Sequence, residues 1–120
     1  MTQEDKDLLF KDLCARLPYN IAIDCRDEDS RFTCYLTTDI LREIQNNTYH
    51  WEYKPYLFPL SSMTEELKEE HKDLLDNQYH FDANGNMFTL QDFYCKYHLD
   101  YRGLIEKSLA LDATNLGIYE

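Results

Sequence analysis

Apolar side chains near the start of the chain recur at helical spacing. Leucine occupies every fourth position from Leu9 to Leu17, which is the period of one face of an α-helix. Thr2 is a typical N-cap residue, and Pro18 cannot continue a helix. The pattern therefore predicts an amphipathic helix over residues 3–17.

The next apolar residues alternate with polar ones, as they do in a strand. This alternation begins at Ile21 and reaches Asp24, and a second run of β-prone residues spans Phe32 to Thr37. The charged residues 26–30 between these runs are typical of a turn. The two runs predict an antiparallel hairpin.

A short helix is predicted after this hairpin, over residues 39–46. Ile40, Leu41 and Ile44 would share one face of that helix, because their spacing follows the helical period. Thr38 is the predicted cap, since its hydroxyl can accept a hydrogen bond from a free amide of the first turn.

Two prolines in the middle of the chain limit the structures that this segment can form. Residues 49–53 predict a strand, and Pro55 and Pro59 then bracket the apolar residues 56–58. Proline has no N–H group to donate to a ladder, and it interrupts a helix. We therefore interpret the bracketed segment as an ordered, partly buried connection between elements.

An acidic helix is predicted from Thr64 to Asp76. Ser62 and Glu65 have the spacing of a capping box, in which each side chain accepts a hydrogen bond from a backbone amide. Leucines would face inward, and the outward face would be acidic, with Lys68 and Lys72 as its bases. The outward acids are Glu65, Glu66, Glu69, Glu70, Asp73 and Asp76.

A second hairpin and two further helices complete the predicted fold. Asn84 and Gly85 lie between apolar runs, which is a strong hairpin pattern. Thr89 would cap a helix that reaches Tyr97, and residues 104–110 would form a last short helix after a bend. The whole chain, residues 1–120, is predicted to be a small single α+β domain with amphipathic helices packed on short antiparallel β-hairpins.

Charge narrows the class of protein. Twelve basic and 23 acidic side chains give a net charge of −11 at pH 7, whereas binding of bare nucleic acid requires a basic surface. No apolar run is long enough for a membrane span, and the acidic start of the chain is unlike a signal peptide. We expect a cytoplasmic protein that binds neither membranes nor bare nucleic acid.

Tyrosine is abundant, with ten copies, while valine is absent. A tyrosine ring supplies apolar area, and its hydroxyl tolerates water, so a tyrosine-rich acidic surface suits contacts with other proteins. The same residues could instead cover the rim of a small core. The sequence leaves both interpretations open.

The sequence predicts no metal, no cofactor and no catalytic residue. Cys95 and His98 form a single pair with metal-ligand spacing, whereas a structural zinc site normally has two such pairs. Residues 82–86 resemble the start of a calcium loop, but Met87 stands where that loop needs glycine and Phe93 where it needs glutamate. Hairpin formation explains the same residues more simply.

The cysteines are not predicted to be nucleophiles. All four lie within apolar patterns, where burial would raise their pKa and make them unreactive. The chain also has no glycine-rich phosphate loop and no Gly-x-Ser-x-Gly motif. We therefore expect a protein that is not an enzyme, with a hydrolase or metal-binding enzyme as the weakest alternative.

Three segments carry a family resemblance: residues 11–19, 54–64 and 99–107. Together they resemble small acidic proteins encoded by Bacteroidota, their phages and prophages, over about a quarter of the chain. The resemblance implies a shared scaffold and a mobile-element origin, but no activity. The family often has glycine where this chain has Asn20 and Ser108, so the two turns are expected to differ.

The phage or prophage origin that the resemblance implies, together with a net charge of −11, suggests an inhibitor. We expect a protein that blocks a bacterial nucleic-acid-targeting defence, such as an anti-CRISPR protein against an RNA-targeting type VI effector. Its partner would be a basic nucleic-acid-binding effector, because opposite potentials accelerate association. The alternative is a cytoplasmic adaptor or regulatory protein of phage replication or morphogenesis. The candidate partner-binding residues are Asp27, Glu28, Asp29, Glu66, Glu69, Glu70 and Asp73.

Overall fold

A computed structural model of the chain describes residues 2–46 and 51–119. They form an α+β domain in which helices pack on a mixed sheet. The elements, in chain order, are α1 (Gln3–Arg16), β1 (Ala22–Arg26), β2 (Arg31–Tyr35), α2 (Thr38–Asn46), β3 (Glu52–Pro59), α3 (Glu65–Glu70), α4 (Lys72–Asn77), β4 (Tyr79–Phe81), β5 (Met87–Thr89), α5 (Leu90–Lys96), β6 (Leu99–Asp100) and β7 (Leu111–Asp112).

The β3 strand lies at the centre of the main sheet, whose strand order is β2-β1-β3-β6. It pairs antiparallel with β1 and parallel with both β6 and β7. The β4 and β5 strands pair with each other in a separate antiparallel hairpin. The α+β prediction is confirmed, and parallel pairing joins the predicted antiparallel hairpins.

The interpretation of residues 56–58 as a connection was wrong, because they belong to β3. Proline is tolerated at position 55 of this central strand because the backbone there makes no hydrogen bond to β1. The Leu36 amide donates to the Ile21 carbonyl, so alternation turns the polar groups of Ile23 toward β2. The pair between Ile23 and Pro55 therefore exchanges no hydrogen bond, and the missing proline amide does not interrupt the ladder.

A tyrosine hydroxyl near the C-terminus completes the ladder between β1 and β3. The Tyr119 hydroxyl accepts a hydrogen bond from the Ala22 amide at 3.0 Å and donates to the Tyr56 carbonyl at 2.7 Å. Burial raises the pKa of Tyr119 to about 12, so the hydroxyl keeps its proton at neutral pH. The last turn of the chain is thereby fixed against the centre of the sheet.

Two predicted elements agree closely with the structure, and a third agrees except at its cap. The α1 helix begins after Thr2, whose hydroxyl accepts from the Asp5 amide, and the hairpin of β1 and β2 forms as predicted. The α2 helix also forms, but its first amide hydrogen bond goes to the Thr37 hydroxyl rather than to Thr38. The predicted strand over 49–53 lies partly outside the described residues, which resume at Trp51.

The predicted acidic helix differs in its cap and its continuity. Ser62 lies in a 3₁₀ turn, and the Thr64 hydroxyl caps α3 by accepting from the Leu67 amide at 3.1 Å. The helix is also interrupted at His71, whose φ of −117° separates α3 from α4. The prediction of a capping box at Ser62 was wrong.

A capping box does occur later, at the start of α5. Asp92 accepts from the Thr89 amide, and the Thr89 hydroxyl accepts from the Asp92 amide. The predicted helix capped by Thr89 is therefore confirmed as α5. The predicted hairpin around Gly85 is also confirmed, because β4 and β5 pair antiparallel.

The last predicted helix was also wrong, because residues 104–108 form turns and residues 109–110 form a bend. Asp100 organises them, since its carboxylate accepts from the amides of Leu104 and Ile105 at 2.8 and 2.9 Å. Asn20 and Ser108, the two turn residues at which a difference from glycine-containing turns was expected, have φ of 52° and 61°. This left-handed conformation is the one that glycine adopts at least cost.

Candidate interaction site

The acidic candidates of the helical region lie on the exposed face of α3 and α4. Glu66, Glu69, Glu70 and Asp73 are all exposed. Residues 64–89 carry seven carboxylates and two lysines. On the inner side of this segment, Leu74 is buried in a cluster with other apolar residues and attaches the segment to the rest of the domain. The result is a strongly negative surface on a fixed support, which we call the acidic face.

Few of these carboxylates are used within the protein. The described residues give one ion pair on α3, between Lys68 and Glu65 at 3.3 Å, and both side chains are largely exposed. They show no hydrogen bond or ion pair from the side chains of Glu66, Glu69 or Asp73. An exposed ion pair of this kind contributes little to stability. Because the other carboxylates have no partner among the described residues, their negative charge is available to an external partner.

The acidic candidates of the first hairpin have a different environment. Asp27 accepts hydrogen bonds from the amides of Asp29 and Ser30 at 2.8 and 2.7 Å, so its carboxylate holds the turn. Arg26 and Arg31 flank the turn, and both pair with the buried Asp24 while keeping about half of their side chains exposed. Glu28 and Asp29 are exposed, but the neighbouring arginines reduce the negative potential around them.

The two sets of candidates do not form one surface. Arg26, next to the turn, is opposite Glu52 at the start of β3, whereas α3 and α4 pack near Phe58 at its other end. Because β3 has eight residues, its ends are about 20 Å apart. The sequence predicted both acidic sets, and the structure places them at opposite ends of the central strand.

The apolar outer face of the β4–β5 hairpin was missed by the sequence reasoning. Tyr79, Phe81 and Met87 are 51%, 63% and 57% exposed. Phe81 is directly opposite Met87, and the rings of Tyr79 and Phe81 are 5.9 Å apart. The alternation of Tyr79, His80 and Phe81 could have indicated this face, because residues two apart in a strand share a side.

A second surface feature is an aromatic cleft of about 400 Å³. His98 stacks on Tyr119 with ring centroids 3.8 Å apart, and Tyr19 and Tyr35 contribute other walls. Burial, with a smaller contribution from Arg16, lowers the pKa of His98 to about 4, so the imidazole is neutral at pH 7. The Nδ1 atom of His98 is itself buried, so it cannot meet a ligand in the cleft without rearrangement.

The thiols are placed in two kinds of environment. Cys25 and Cys95 are buried, and burial raises the pKa of both thiols, which makes them poor nucleophiles. Cys25 and Cys34 approach each other across the first hairpin at 2.8 Å between Sγ atoms. Cys34 is partly buried and Cys14 is exposed on α1, so the expectation of burial was wrong for Cys14.

The described residues contain no group of three or more histidine, cysteine, aspartate or glutamate side chains suited to hold a metal ion. Cys95 is buried within α5, and His98 is stacked on Tyr119. Within the same residues, no helix has the length and apolar character needed to cross a bilayer.

Comparison with known proteins gives no relative: no protein-family model matches the chain, and neither a curated protein nor a solved structure does. The surface chemistry of the chain is therefore the main ground for a functional proposal.

Proposed function

We propose that this protein is a non-enzymatic inhibitor of a bacterial nucleic-acid-targeting defence, encoded by a phage or prophage and active in the host cytoplasm. The observation that carries the proposal is the acidic face, where six carboxylates and two lysines lie exposed on the helices α3 and α4. Its partner would be an effector that holds guide or target nucleic acid in a basic channel, because such a channel attracts a negative protein surface.

An RNA-targeting type VI CRISPR effector is the partner class that we propose first. The resemblance to Bacteroidota phage and prophage proteins supports this choice. The exposed carboxylates would occupy part of the surface that normally binds phosphates, so the protein would compete with RNA. Inhibition would need no bond to be made or broken, which is consistent with the buried, high-pKa thiols Cys25 and Cys95.

The test is RNA cleavage by a purified type VI effector from a Bacteroidota host, loaded with its guide RNA. Increasing amounts of the protein should reduce cleavage of a matched target RNA. The variant with Glu69→Lys and Asp73→Lys should inhibit less at equal concentration, because it removes negative charge without disturbing the core. Full cleavage at every concentration, across a panel of such effectors, would contradict the proposal.

A pull-down from lysate of an infected host separates this proposal from the adaptor alternative. Recovery of a CRISPR effector by the wild-type protein, and its loss with the Glu69→Lys and Asp73→Lys variant, would support an inhibitor. Recovery of phage replication or morphogenesis proteins instead would support an adaptor.

A further inference from the structure

The β4–β5 hairpin has two chemically different sides. On the inner side, Phe88 packs against the cluster around Leu74, and the His80 and Phe88 rings are 5.4 Å apart. On the outer side, Tyr79, Phe81 and Met87 are each more than half exposed. A continuous exposed apolar surface on a small acidic protein is typical of an interaction site.

The hairpin is held firmly on the acidic helices. The Gln78 amide donates to the Leu74 carbonyl at 2.7 Å, and the Leu90 amide donates to the Gln78 carbonyl at 2.8 Å. At the other end, the Asp82 carboxylate accepts from the amides of Asn84 and Asn86. The outer side of the hairpin is thus presented next to α4 by a network of hydrogen bonds.

The exposed apolar surface of the hairpin is too small to form a specific protein interface by itself. Three side chains of this kind expose roughly 300 Å², whereas a specific protein interface buries about 800 Å² on each partner. A stable contact must therefore include neighbouring residues. The neighbours are the acidic helices α3 and α4, together with Asp82 in the hairpin loop.

We propose that the outer side of the β4–β5 hairpin and the adjoining acidic face form one docking surface for a basic protein segment that also carries apolar side chains. Tyr79, Phe81 and Met87 would supply the buried centre of the interface, and the carboxylates would form its charged rim. This inference rests on the proposed function, since it names which face of the protein binds the basic partner. It adds that charge alone is not sufficient and that apolar contacts provide most of the affinity.

A second copy of the chain is the main competing occupant. The charge argues against it, because extending a symmetric contact beyond the hairpin would bring carboxylates against carboxylates at a net charge of −11 per copy. A basic partner meets no such repulsion. Sedimentation at high protein concentration tests this directly: a monomer is expected, and a dimer abolished by Phe81→Ser would overturn the proposal.

The first experiment uses a defined probe and needs no natural partner. An amphipathic peptide of about five helical turns, made of lysine and leucine, is added to isotopically labelled protein, and amide shifts are followed by NMR. Shifts should concentrate in residues 64–89. A matched peptide with glutamate in place of lysine, and another with serine in place of leucine, should each bind at least about tenfold more weakly. Shifts centred on Glu28 and Asp29, or equal binding of the serine peptide, would overturn the proposal.

The second experiment uses the effector and a matched pair of variants. Phe81→Ser with Met87→Ser should raise the Kd for the effector about tenfold or more, mainly through faster dissociation. The control, Tyr35→Ser with Leu116→Ser, removes residues of similar exposure, 57% and 55%, outside the docking surface and should leave the Kd unchanged. Both variants should melt like the wild type, because all four side chains are exposed.

The two experiments separate failure of this inference from failure of the proposed function. If no effector binds the wild-type protein, the proposed function fails, while the peptide shifts still decide where a basic apolar segment docks. If the effector binds and the hairpin variant binds equally well, the docking surface is wrong and the proposed function stands.

Discussion

Two groups of carboxylates, in two parts of the molecule, are used in opposite ways. In the part built on α1 and the central sheet, Asp12, Asp24, Asp27 and Asp100 each bind an arginine or backbone amides of the same chain. In the part that includes α3 and α4, most carboxylates face solvent without an intramolecular partner among the described residues. The first group stabilises the fold, and the second group is free to meet another molecule.

This difference shows why a count of acidic residues does not locate a site. Asp27 belongs to an exposed acidic turn in the sequence, yet its carboxylate is occupied by two amides. Glu69 is chemically similar, but it lies on a helix surface with few bases nearby. What separates them is the local backbone geometry and the position of the arginines.

The largest predicted effect is at the buried ion pair of α1. Asp12 and Arg16 are both fully buried, with Nε to Oδ2 at 2.7 Å, and Arg102 approaches the same carboxylate at 3.2 Å. Asp12→Ala leaves two guanidinium groups without this partner and should lower the free energy of unfolding by about 3–5 kcal/mol. Glu69→Ala, the exposed control, should change it by less than about 0.5 kcal/mol. Urea unfolding measures both, and equal effects would contradict the contrast between buried and exposed acids.

A smaller effect is expected in the acidic turn. Asp27→Ala removes the acceptor of two backbone hydrogen bonds and should lower the free energy of unfolding by about 1–2 kcal/mol. Glu28→Ala in the same turn should cost less than about 0.5 kcal/mol, because Glu28 is exposed and makes no such bond. If denaturant unfolding finds the two variants equally stable, Asp27 does not organise the turn.

The start of α3 gives a third comparison. Thr64→Ala should lower the free energy of unfolding by about 1 kcal/mol, because the Leu67 amide loses its acceptor. Ser62→Ala should have almost no effect, since Ser62 lies in the preceding 3₁₀ turn and does not cap the helix. Urea midpoints of the two variants check this, and a larger loss at Ser62 would restore it as the cap.

The smallest effect is the contribution of the hairpin loop to the pH dependence of stability. The Asn86 amide, followed by the Asn84 amide, lowers the pKa of Asp82 below its ordinary value of 3.8. Its stabilising contribution is therefore complete above that ordinary value and disappears as the pH falls through the lower folded-state pKa.

Melting curves between about pH 6 and about pH 2 should show this dependence in the wild type and a weaker dependence in Asp82→Asn. Identical pH profiles would mean that the Asp82 carboxylate does not support the loop.

Local patterns predicted much of the fold, while long-range contacts explain what they missed. The α1 helix, both hairpins and α5 follow from periodicity, Thr2, Gly85 and Thr89, which act within a few residues. Pro55 lies inside the central strand because its pair with Ile23 exchanges no hydrogen bond, which depends on sheet register. Residues 104–110 lack a helix because the Asp100 carboxylate binds the amides of Leu104 and Ile105.

The candidate site was predictable in part. Exposed acids such as Glu66 and Asp73 could be recognised from the helical pattern, because they occupy the side opposite the leucines. The distance between these acids and Asp27 could not be predicted. It depends on the length of β3, and on the fact that the first hairpin lies near one end of β3 and the α3–α4 segment near the other end. The outer side of the hairpin was also missed, because Phe81 and Met87 resemble core residues until the packing of Phe88 shows which side faces inward.

The central claim is that the acidic face, rather than negative charge in general, attracts the partner. Two matched variants test it: Glu69→Lys with Asp73→Lys, and Glu28→Lys with Asp29→Lys. Because each reversal adds two charges, both variants change the net charge from −11 to −7. All four residues are exposed, so both proteins should fold normally.

The decisive measurement is the association rate of each variant with the guide-loaded effector at two salt concentrations. At about 0.1 M salt, where the Debye length is roughly 10 Å, the helix variant should associate about tenfold more slowly than the wild type, and the turn variant nearly as fast. At about 1 M salt, where it is roughly 3 Å, the difference should largely disappear. Equal slowing by both variants, or rates that do not depend on salt or on either variant, would contradict the account.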